Sequence, residues 1–393
     1  MGSEATDTSN RGDGRESLRL AIDVSPAAKS DPTGIGRYAI EFVRALAPLL
    51  RLEERISLVV RPGRWPERRF VLPLAEIPRV APPSLLLGAF PLLFGRQTLF
   101  HSTGVALPVG LRGLAVATIP DTNTMDAPEL AGARWVKERS EKTREVIARA
   151  DMVLAFSSFV RERILHHFPE LPPERVRVTP LGFDHAGLER EAPLRPASGP
   201  GDAAVRARYG LAGRPYVLTV GRVERRKNPE GLVRGFALSR LARGHLLVFA
   251  GQSGDSDIGQ ALRETGMEAR VRLLGRVPDA DLGALYRGAE AFAFPSHYEG
   301  FGIPLLEALA CGTPSLSSDR TSIPEVAGDA AVLVDPEDAG AIAAGLDRLL
   351  GDEGLRRDLR ERGPRQASRF TWRATAGATL EAYCALTALG RRR

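Results

Sequence analysis

The chain has 393 residues, with 54 lysines and arginines against 48 acidic residues and a formal net charge of +6. This length exceeds what one hydrophobic core usually serves, and it predicts two domains. The positive excess is shared evenly between the two halves, and the sequence has no zinc-ligand cluster, no aromatic-basic motif and no strongly basic stripe. A nucleic-acid partner is therefore not expected.

Strand and helix patterns alternate after a polar segment, residues 1–16, which is expected to be disordered. Buried strands are predicted at LRLAIDVS, ISLVVRP, LFHSTG, LAVATIPD and DMVLAFSS, and helices at GRYAIEFVRALAPLL and RWVKERSEKTREVIARA. Such alternation is typical of a parallel sheet with helices on both faces. Residues 17–188, closing around VRVTPLGFD, are predicted to form a first Rossmann-like domain.

A segment rich in proline, glycine and alanine, residues 185–214, is predicted to be a linker. Beyond it, strands are predicted at YVLTVG, HLLVFAG, VRLLGRV, AFAFPS, TPSLSS and AVLVD, which makes residues 189–370 a second Rossmann-like domain. Ser322 and Glu325 have the spacing of a capping box and predict the start of a short helix. Residues 371–393 contain a last helix, TWRATAGATLEAYCALTAL.

The most informative stretch is SHYEGFGIPLLEALACGTP, where Glu299 and Glu307 flank a glycine-rich turn between a strand and a helix. Free backbone amides at the start of that helix, from Phe301, Gly302 and Ile303, suit a phosphate group. Carboxylates beside such a site suit the hydroxyl groups of a sugar or ribose. The stretch predicts a site for an anionic, hydroxyl-rich ligand.

Two cations are predicted to face the same ligand. Arg222 and Lys227 follow the strand YVLTVG, and the carboxyl ends of parallel strands form the ligand crevice of open α/β sheets. Cations there, opposite a helix N-terminus, would clamp a diphosphate from both sides.

These motifs resemble those of the retaining glycosyltransferases of family 4, which have the GT-B fold and use nucleotide-sugar donors. The resemblance covers the chain from Leu18 to about Tyr383. It rests on the following segments: TGIGRY, ADMVLAFSSFVRERI, VTPLGFD, VGRVERRKN, LLGRVPDADLGALYRGAEAFAFPSHYEGFGIPLLEALACGTP and SIPEVAGDAAVLVDPED. It implies two doubly wound parallel-sheet domains that face each other across a cleft, with the C-terminal helix crossing back onto the first domain.

The resemblance also implies roles for residues of the donor site. Glu299 matches the carboxylate that faces the donor sugar, and Glu307 the one that binds the ribose. Arg222 and Lys227 match the diphosphate clamp. The remaining matched positions are the amides of the Gly300-to-Ile303 turn, the Val277 backbone near the base, and Gly34 and Gly36 in a loop that closes over the phosphates.

One position departs from the family. Many relatives carry His-Asp at the end of a strand of the first domain, near the C6 substituent of the donor sugar, and this chain has Pro120 followed by Asp121. The departure leaves two hypotheses open: an unusual donor such as a sugar lacking the 6-hydroxyl, or a noncatalytic relative. Candidate acceptor contacts are Asp121, His101 and Tyr38, with a structural role for His101 equally open.

A retaining transfer without a metal ion or other cofactor is expected. Asp255 and Asp257 form an Asp-x-Asp triplet, but a solvated loop explains them better, because Arg222 and Lys227 already supply positive charge. Asp279 and Asp281 are better explained as the start of a helix, where acidic side chains are favoured.

The sequence also bears on location and acceptor. The two cysteines lie far apart in apolar helical contexts, so reduced thiols and a cytoplasmic location are expected. An apolar window at 84–95 and a basic segment at 61–69 suggest peripheral contact with the cytoplasmic face of a membrane, against the alternative of a core helix and a surface loop.

A glycan, a lipid-linked intermediate and a small secondary metabolite all stay open as the acceptor. GDP-mannose and UDP-sugars stay open as the donor. Other functions on the same scaffold are a nucleotide-sugar-binding pseudoenzyme, a phosphorylase or an epimerase.

Overall fold

The computed structural model describes residues 17–30, 34–85, 98–184 and 200–390. Strands β1 to β13 in these ranges are Arg19–Asp23, Arg55–Val60, Val80–Leu85, Thr98–Ser102, Leu114–Ile119, Met152–Ala155, Val176–Val178, Tyr216–Val220, Leu246–Ala250, Val271–Leu273, Ala291–Phe294, Ser315–Ser318 and Val332–Val334. Helices α1 to α13 are Gly34–Leu46, Asn123–Asp126, Ala133–Arg149, Ser158–His167, Pro200–Arg208, Pro229–Leu238, Ile258–Thr265, Asp279–Gly288, Ile303–Ala310, Ile323–Ala327, Ala339–Gly351, Glu353–Ala367 and Trp372–Gly390.

The strands form two parallel sheets, one in each half of the chain. The first has the order β3-β2-β1-β4-β5-β6-β7 and the second the order β10-β9-β8-β11-β12-β13. In each sheet the strand order reverses once, between β1 and β4 and between β8 and β11. Ligands of doubly wound sheets bind outside the carboxyl ends of the strands at such reversals. The two-domain parallel α/β architecture expected from the sequence is confirmed.

Two elements differ from expectation. Strand β3 was not predicted, because VAPPSL contains two prolines. Among the described strands it pairs with β2 alone and lies at the edge of the sheet, where a missing amide hydrogen is tolerated. Helix α5 occupies part of the predicted linker, and Asp202 anchors it through two hydrogen bonds of 2.8 Å from Arg287 on α8.

The two segments that suggested membrane contact have different outcomes. Residues 86–95 of the apolar window lie outside the described residues. The basic segment is not an open loop, because Pro62–Phe70 forms a 3-10 helix with Arg68 lying over the ring of Trp65. Within the described ranges, no helix has the length and apolar character needed to cross a bilayer.

The last helix, α13, crosses back onto the first domain, as the resemblance implied. At its start the Trp372 amide donates to Asp184 at 2.8 Å, and the Thr375 hydroxyl donates to the Pro180 carbonyl at 2.5 Å. Further along, the Tyr383 hydroxyl lies 2.5 Å from Nδ1 of His101 in the interior of the first domain. These contacts fasten the end of the chain to β4 and to the segment after β7.

A glycine allows this close approach. A Cβ atom on Gly182 would lie 2.2 Å from the Trp372 backbone nitrogen, which is less than any real contact. Gly377, inside α13, has no atom within 4 Å of a Cβ placed on it, apart from its own helix backbone.

We expect Gly182→Ala to lower the free energy of unfolding by about 1–3 kcal/mol, because the overpacked contact must separate α13 from the first domain. The matched variant Gly377→Ala should be neutral or stabilising by up to about 1 kcal/mol, since alanine favours helix. Urea denaturation of both variants measures the difference. Equal stability of the two would contradict tight docking of α13 at Gly182.

Candidate active site

A cavity of about 490 Å³ lies between the carboxyl ends of the two sheets. Its walls contain most of the residues that the sequence placed in a donor site, contributed by both domains. These are Gly34, Asp121, Arg222, Lys227, Val277, Glu299, Gly300, Phe301, Gly302, Ile303 and Glu307. Pro120 lies in the same wall, next to Asp121.

The turn after β8 supplies the cations of this cavity. Gly221, at φ +124°, turns the chain, and a Cβ on it would lie 1.9 Å from Nζ of Lys227. The Lys227 ammonium therefore packs beneath the turn, 5.3 Å from the ring centroid of Phe294. Burial lowers the pKa of Lys227, because the charged form is desolvated. Arg222 lies at the exposed edge of the cavity.

Arg226, from the same turn, was not singled out in the sequence and is the most heavily paired cation of the site. Its guanidinium lies 2.9 Å from Oε2 of Glu299 and 2.8 Å from Oε1 of Glu224, and it donates to the Tyr298 carbonyl at 2.7 Å. Burial alone would lower the pKa of Arg226, but the carboxylates of Glu299 and Glu224 raise it above its usual value. Arg226 lies in the run RVERRK, which marked this turn as basic, but the sequence of the run does not indicate which of its cations faces the interior.

Glu299 has one paired and one open oxygen. Oε2 is held by Arg226, whereas Oε1 is buried and has no hydrogen-bond partner in the described part of the chain. The backbone around it is fixed as well: its amide donates to Thr321 Oγ1 at 3.2 Å, and its carbonyl accepts from Ser322 Oγ at 2.8 Å. A rigid carboxylate with a free oxygen at a cavity wall is suited to accept a hydrogen bond from a ligand hydroxyl.

Helix α9 begins at the same wall. Gly302, at φ +102°, precedes its first residue, Ile303, and no side chain caps this end. The first amides of the helix have no intrahelical acceptor, and together with the helix dipole they favour an anion. The cations of the β8 turn and this helix end therefore border one cavity.

Glu307, on α9, is connected to both domains. Its Oε2 accepts from the buried Tyr286 hydroxyl at 2.8 Å, and its Oε1 lies 3.8 Å from the guanidinium of Arg37 on α1. Arg37 also pairs with Asp279 at 2.6 Å, across the cleft. Burial would lower the pKa of Arg37, but Glu307 and Asp279 raise it. Sequence reasoning passed over Arg37, although it stands inside the TGIGRY motif.

The glycine-rich turn touches the first domain directly. A Cβ on Gly300 would lie 2.1 Å from the Pro120 carbonyl oxygen, so glycine is required here for the two backbones to meet. Ser157 Oγ donates to the Gly300 carbonyl at 2.8 Å. The short helix expected after Ser322 is present as α10, but the capping box expected from Ser322 and Glu325 does not form. Ser322 bonds to Glu299, and Glu325 instead accepts from the Ser158 amide of the first domain at 2.9 Å.

A buried carboxylate, Asp126, forms a second set of contacts between the two domains, next to the glycine-rich turn. It accepts from the Tyr298 hydroxyl of the second domain at 2.6 Å and from Thr122, Arg163 and His167 of the first. Burial opposes its ionisation, but the hydrogen bonds, led by that of Arg163, lower the pKa of Asp126 to about 2. Asp126 is therefore ionised at neutral pH and keeps Tyr298 next to Glu299.

Three candidate residues do not line the cavity. His101 is fully buried and bonds through Nε2 to Thr118 at 2.8 Å and through Nδ1 to Tyr383, and burial lowers its pKa to about 3. Tyr38 is fully buried and also bonds to Thr118, at 3.1 Å. Both side chains are fully buried, so neither is placed to contact an acceptor, and the structural role that was open for His101 is the one that fits. Gly36 is buried inside α1, whereas Gly34 lies at the cavity.

All four aspartates of the two Asp-x-Asp triplets contact other groups of the protein. Asp279 and Asp281 begin α8, as expected, and Asp281 also accepts from Arg208 and Tyr209. Asp257 caps α7, and Asp255 accepts from the Arg225 amide. Among the described residues, no group of three or more histidines, cysteines or carboxylates is placed to hold a metal ion.

The two cysteines are not joined to each other. Cys311 is buried and Cys384 is partly buried, and no disulfide links them. Burial raises the pKa of the Cys311 thiol to about 12. Cys311 is therefore protonated at neutral pH and unsuited to act as a nucleophile.

Comparison with known proteins agrees with this geometry. Residues 203–366 match the family model described as glycosyl transferases group 1. The O-antigen chain mannosyltransferase B of Escherichia coli is 33% identical over 376 residues, covering 89% of this chain and 96% of that protein. The chain therefore belongs to the group 1 glycosyl transferases.

Solved structures show the same fold. The sucrose-phosphate synthase of Thermosynechococcus elongatus superposes with a TM-score of 0.71 at 22% identity, covering 95% of this chain and all of that one. HepE of Anabaena, crystallised with UDP and glucose, superposes with a TM-score of 0.69 at 18% identity, covering 93% and 100%. This protein is a glycosyltransferase with the GT-B fold.

We expect Lys227→Met to raise the thermal midpoint of the ligand-free protein, because a cation disfavoured by burial is replaced by an apolar chain of similar length. The folded-state pKa of Lys227 lies below its unfolded value, so the charge is destabilising at neutral pH. The difference in thermal midpoint between Lys227→Met and the wild type should become smaller as the pH rises toward about 10.4, the pKa of an unperturbed lysine.

The control is Arg225→Met, which removes an exposed cation from the same turn and should leave the midpoint nearly unchanged. Differential scanning calorimetry between pH 7 and pH 10 measures both variants. A lower midpoint for Lys227→Met at pH 7 would show that the lysine stabilises the empty site.

Proposed function

We propose that this glycosyltransferase moves a sugar from a nucleoside diphosphate to an acceptor hydroxyl, with retention at the anomeric carbon and without a metal ion. The observation that carries the proposal is one cavity bordered by the Arg222 and Lys227 cations on one side and the open N-terminus of α9 on the other. A diphosphate is the ligand group whose charge and length suit both walls.

The leaving group is stabilised by electrostatics in this scheme. As the bond between the anomeric carbon and the diphosphate oxygen breaks, negative charge grows on the diphosphate. Lys227, Arg222 and the α9 amides border the same cavity in the ligand-free protein, so little reorganisation is needed at the moment of reaction. These cations supply the charge that a divalent metal would otherwise bring.

The sugar is oriented by the remaining carboxylate oxygen. Glu299 Oε1, buried and unpaired among the described residues, accepts a hydrogen bond from a ring hydroxyl, while Oε2 stays with Arg226. Glu307 binds the ribose hydroxyls, and Val277 borders the base.

Retention follows if the acceptor attacks from the side that the diphosphate leaves. The acceptor oxygen bonds to the anomeric carbon, and its proton passes to the departing phosphate oxygen. Asp121, in the cavity wall contributed by the first domain, orients the acceptor. This scheme needs no covalent nucleophile from the protein.

The donor is proposed to be GDP-mannose, by analogy with the mannosyltransferase relative, with UDP-sugars as the alternative. Pro120 supplies an alternative to mannose. Its ring cannot donate a hydrogen bond, so the wall that relatives line with histidine lacks that side-chain donor, and a sugar without a 6-hydroxyl is the alternative donor sugar. The same substitution motivates the second candidate, a protein that binds nucleotide-sugar without turning it over.

The base is identified by thermal shift with GDP, UDP and their sugars. One base should stabilise the protein, by about 2.7 kcal/mol at one hundred times its dissociation constant. Lys227→Met should lose the shift and Arg225→Met should keep it. If no nucleotide shifts the wild type, the donor assignment is wrong.

Turnover separates the enzyme from the binding protein. With the identified donor, nucleotide release should occur, and Glu299→Gln should lower kcat by about 100-fold. Glu224→Gln, which removes the other carboxylate from Arg226, should have a much smaller effect. Absence of turnover with intact nucleotide binding would support the noncatalytic alternative. A hexose with a free 6-hydroxyl as the best donor would exclude the deoxysugar.

Metal independence and retention are tested on the same reaction. Excess EDTA should leave the rate unchanged, and proton NMR of the product should show the anomeric configuration of the donor. Complete loss of activity in EDTA that magnesium or manganese restores would refute the metal-free mechanism. An inverted product would refute retention.

A further inference from the structure

A second cavity, of about 730 Å³, adjoins the first one. The two share a boundary formed by Ile35, Asp121, Arg222, Glu224 and Arg226. Because the donor sugar is assigned to the neighbourhood of Glu299 and Asp121, a molecule in the second cavity would reach the reacting carbon past Asp121. The second cavity is therefore the entry for the acceptor, given the proposed function.

One wall of this cavity is a face of helix α3. Trp135, Arg139 and Lys142 lie four and three residues apart on the helix, so they share one side of it. Trp135 is a large apolar side chain with 56% of its surface exposed. An exposed indole in a cavity offers a flat apolar face, and such a face suits the apolar side of a sugar ring.

The cations on this face, Arg139 and Lys142, form no ion pair in the described part of the chain. Burial lowers the pKa of Arg139, and the charge of the Asp121 carboxylate in the same cavity opposes this. Three of the other carboxylates that line the cavity have different partners: Glu138 pairs with Arg134 at 2.9 Å, Glu224 pairs with Arg226 at 2.8 Å, and Asp255 accepts from the Arg225 amide.

The cavity is also lined by Lys29, Arg61 and Arg64, of which Arg61 lies 3.2 Å from Asp23 and Arg64 pairs with Glu67 at 2.8 Å. The two cations of α3, together with the exposed indole beside them, describe a site for an anion that also carries a sugar.

We propose that the second cavity binds the acceptor as a sugar phosphate or sugar diphosphate, with the phosphate on Arg139 and Lys142 and the sugar ring on Trp135. The inference rests on the proposed function, because it uses the donor cavity to locate the acceptor. Two sources supply this chemistry: a soluble sugar phosphate and a lipid-linked sugar diphosphate. The neutral secondary metabolite and the neutral glycan end are disfavoured as acceptors.

The test measures binding to the full chain while the donor cavity is saturated with the nucleoside diphosphate that gives the thermal shift. The probes are mannose 1-phosphate, methyl mannoside as its neutral counterpart, and mannose linked through a diphosphate to a farnesyl chain. Quenching of the Trp135 fluorescence reports occupancy, with Trp135→Phe as the blank. We expect the phosphorylated probes to bind at least tenfold more tightly than methyl mannoside, with an advantage that falls as salt is raised.

The variant Arg139→Gln/Lys142→Gln should lose that tenfold advantage, and Lys137→Gln, an exposed lysine on the other side of α3, should keep it. Tight binding of the farnesyl probe alone identifies a lipid-linked acceptor, and equal binding of mannose 1-phosphate identifies a soluble one. Equal affinity for charged and neutral probes, or no effect of the double substitution, overturns the inference. Nucleotide binding is measured first. If no nucleotide raises the thermal midpoint, the result counts against the proposed function. If a nucleotide raises it but the phosphorylated probes bind no more tightly than methyl mannoside, the result counts against this inference alone.

Discussion

The buried guanidinium of Arg226 is the constraint on which the site depends. It comes from the turn after β8, and its partners Tyr298 and Glu299 come from the turn after β11, the neighbouring strand at the point where the sheet order reverses. A buried charge is tolerated when its partners satisfy it, and here two carboxylates and a carbonyl do so. The two turns that carry the donor-site residues are therefore fixed relative to each other, and only one oxygen of Glu299 is left for a ligand among the described contacts.

The same loop carries the contact between the domains. Tyr298, Glu299 and Gly300 are consecutive, and each makes a different contact. Tyr298 bonds to Asp126 of the first domain, Glu299 faces the cavity, and Gly300 meets Pro120 backbone to backbone. The contacts of Tyr298 and Gly300 with the first domain therefore fix the backbone on both sides of Glu299. The position of the Glu299 carboxylate depends on how the two domains meet.

The sequence predicted the strands and helices well, but it predicted the hydrogen-bond and ion-pair partners of the side chains less well. Apolar runs bounded by glycine and proline predicted every strand of the second sheet. Because the carboxyl ends of parallel strands share one edge of the sheet, the sequence also predicted that Arg222, Lys227 and Glu299 lie together. The partner of a side chain depends on the direction in which that side chain points, and the order of apolar and polar residues does not give this direction. In RVERRK the spacing leaves open which cation turns inward. His101 ends a strand as a ligand contact would, yet a residue 282 positions later, Tyr383, occupies its Nδ1. The capping-box spacing at Ser322 likewise did not reveal that both side chains had partners across the loop and the cleft.

The distribution of paired and unpaired charge gives the two cavities different roles. In the donor cavity Arg226 is neutralised by protein carboxylates, so it organises the site, whereas Lys227 and the α9 amides keep their capacity for a ligand anion. In the second cavity Arg139 and Lys142 are unpaired within the described chain and lie on the same helix face as an exposed indole. Arg139 is partly removed from water, which costs free energy in the ligand-free protein, and an anionic ligand would offset that cost; Lys142 is exposed. Both cavities therefore have cations available to an anion. In the proposed reaction the sugar would pass from one cavity to the other beside Asp121, which lines both.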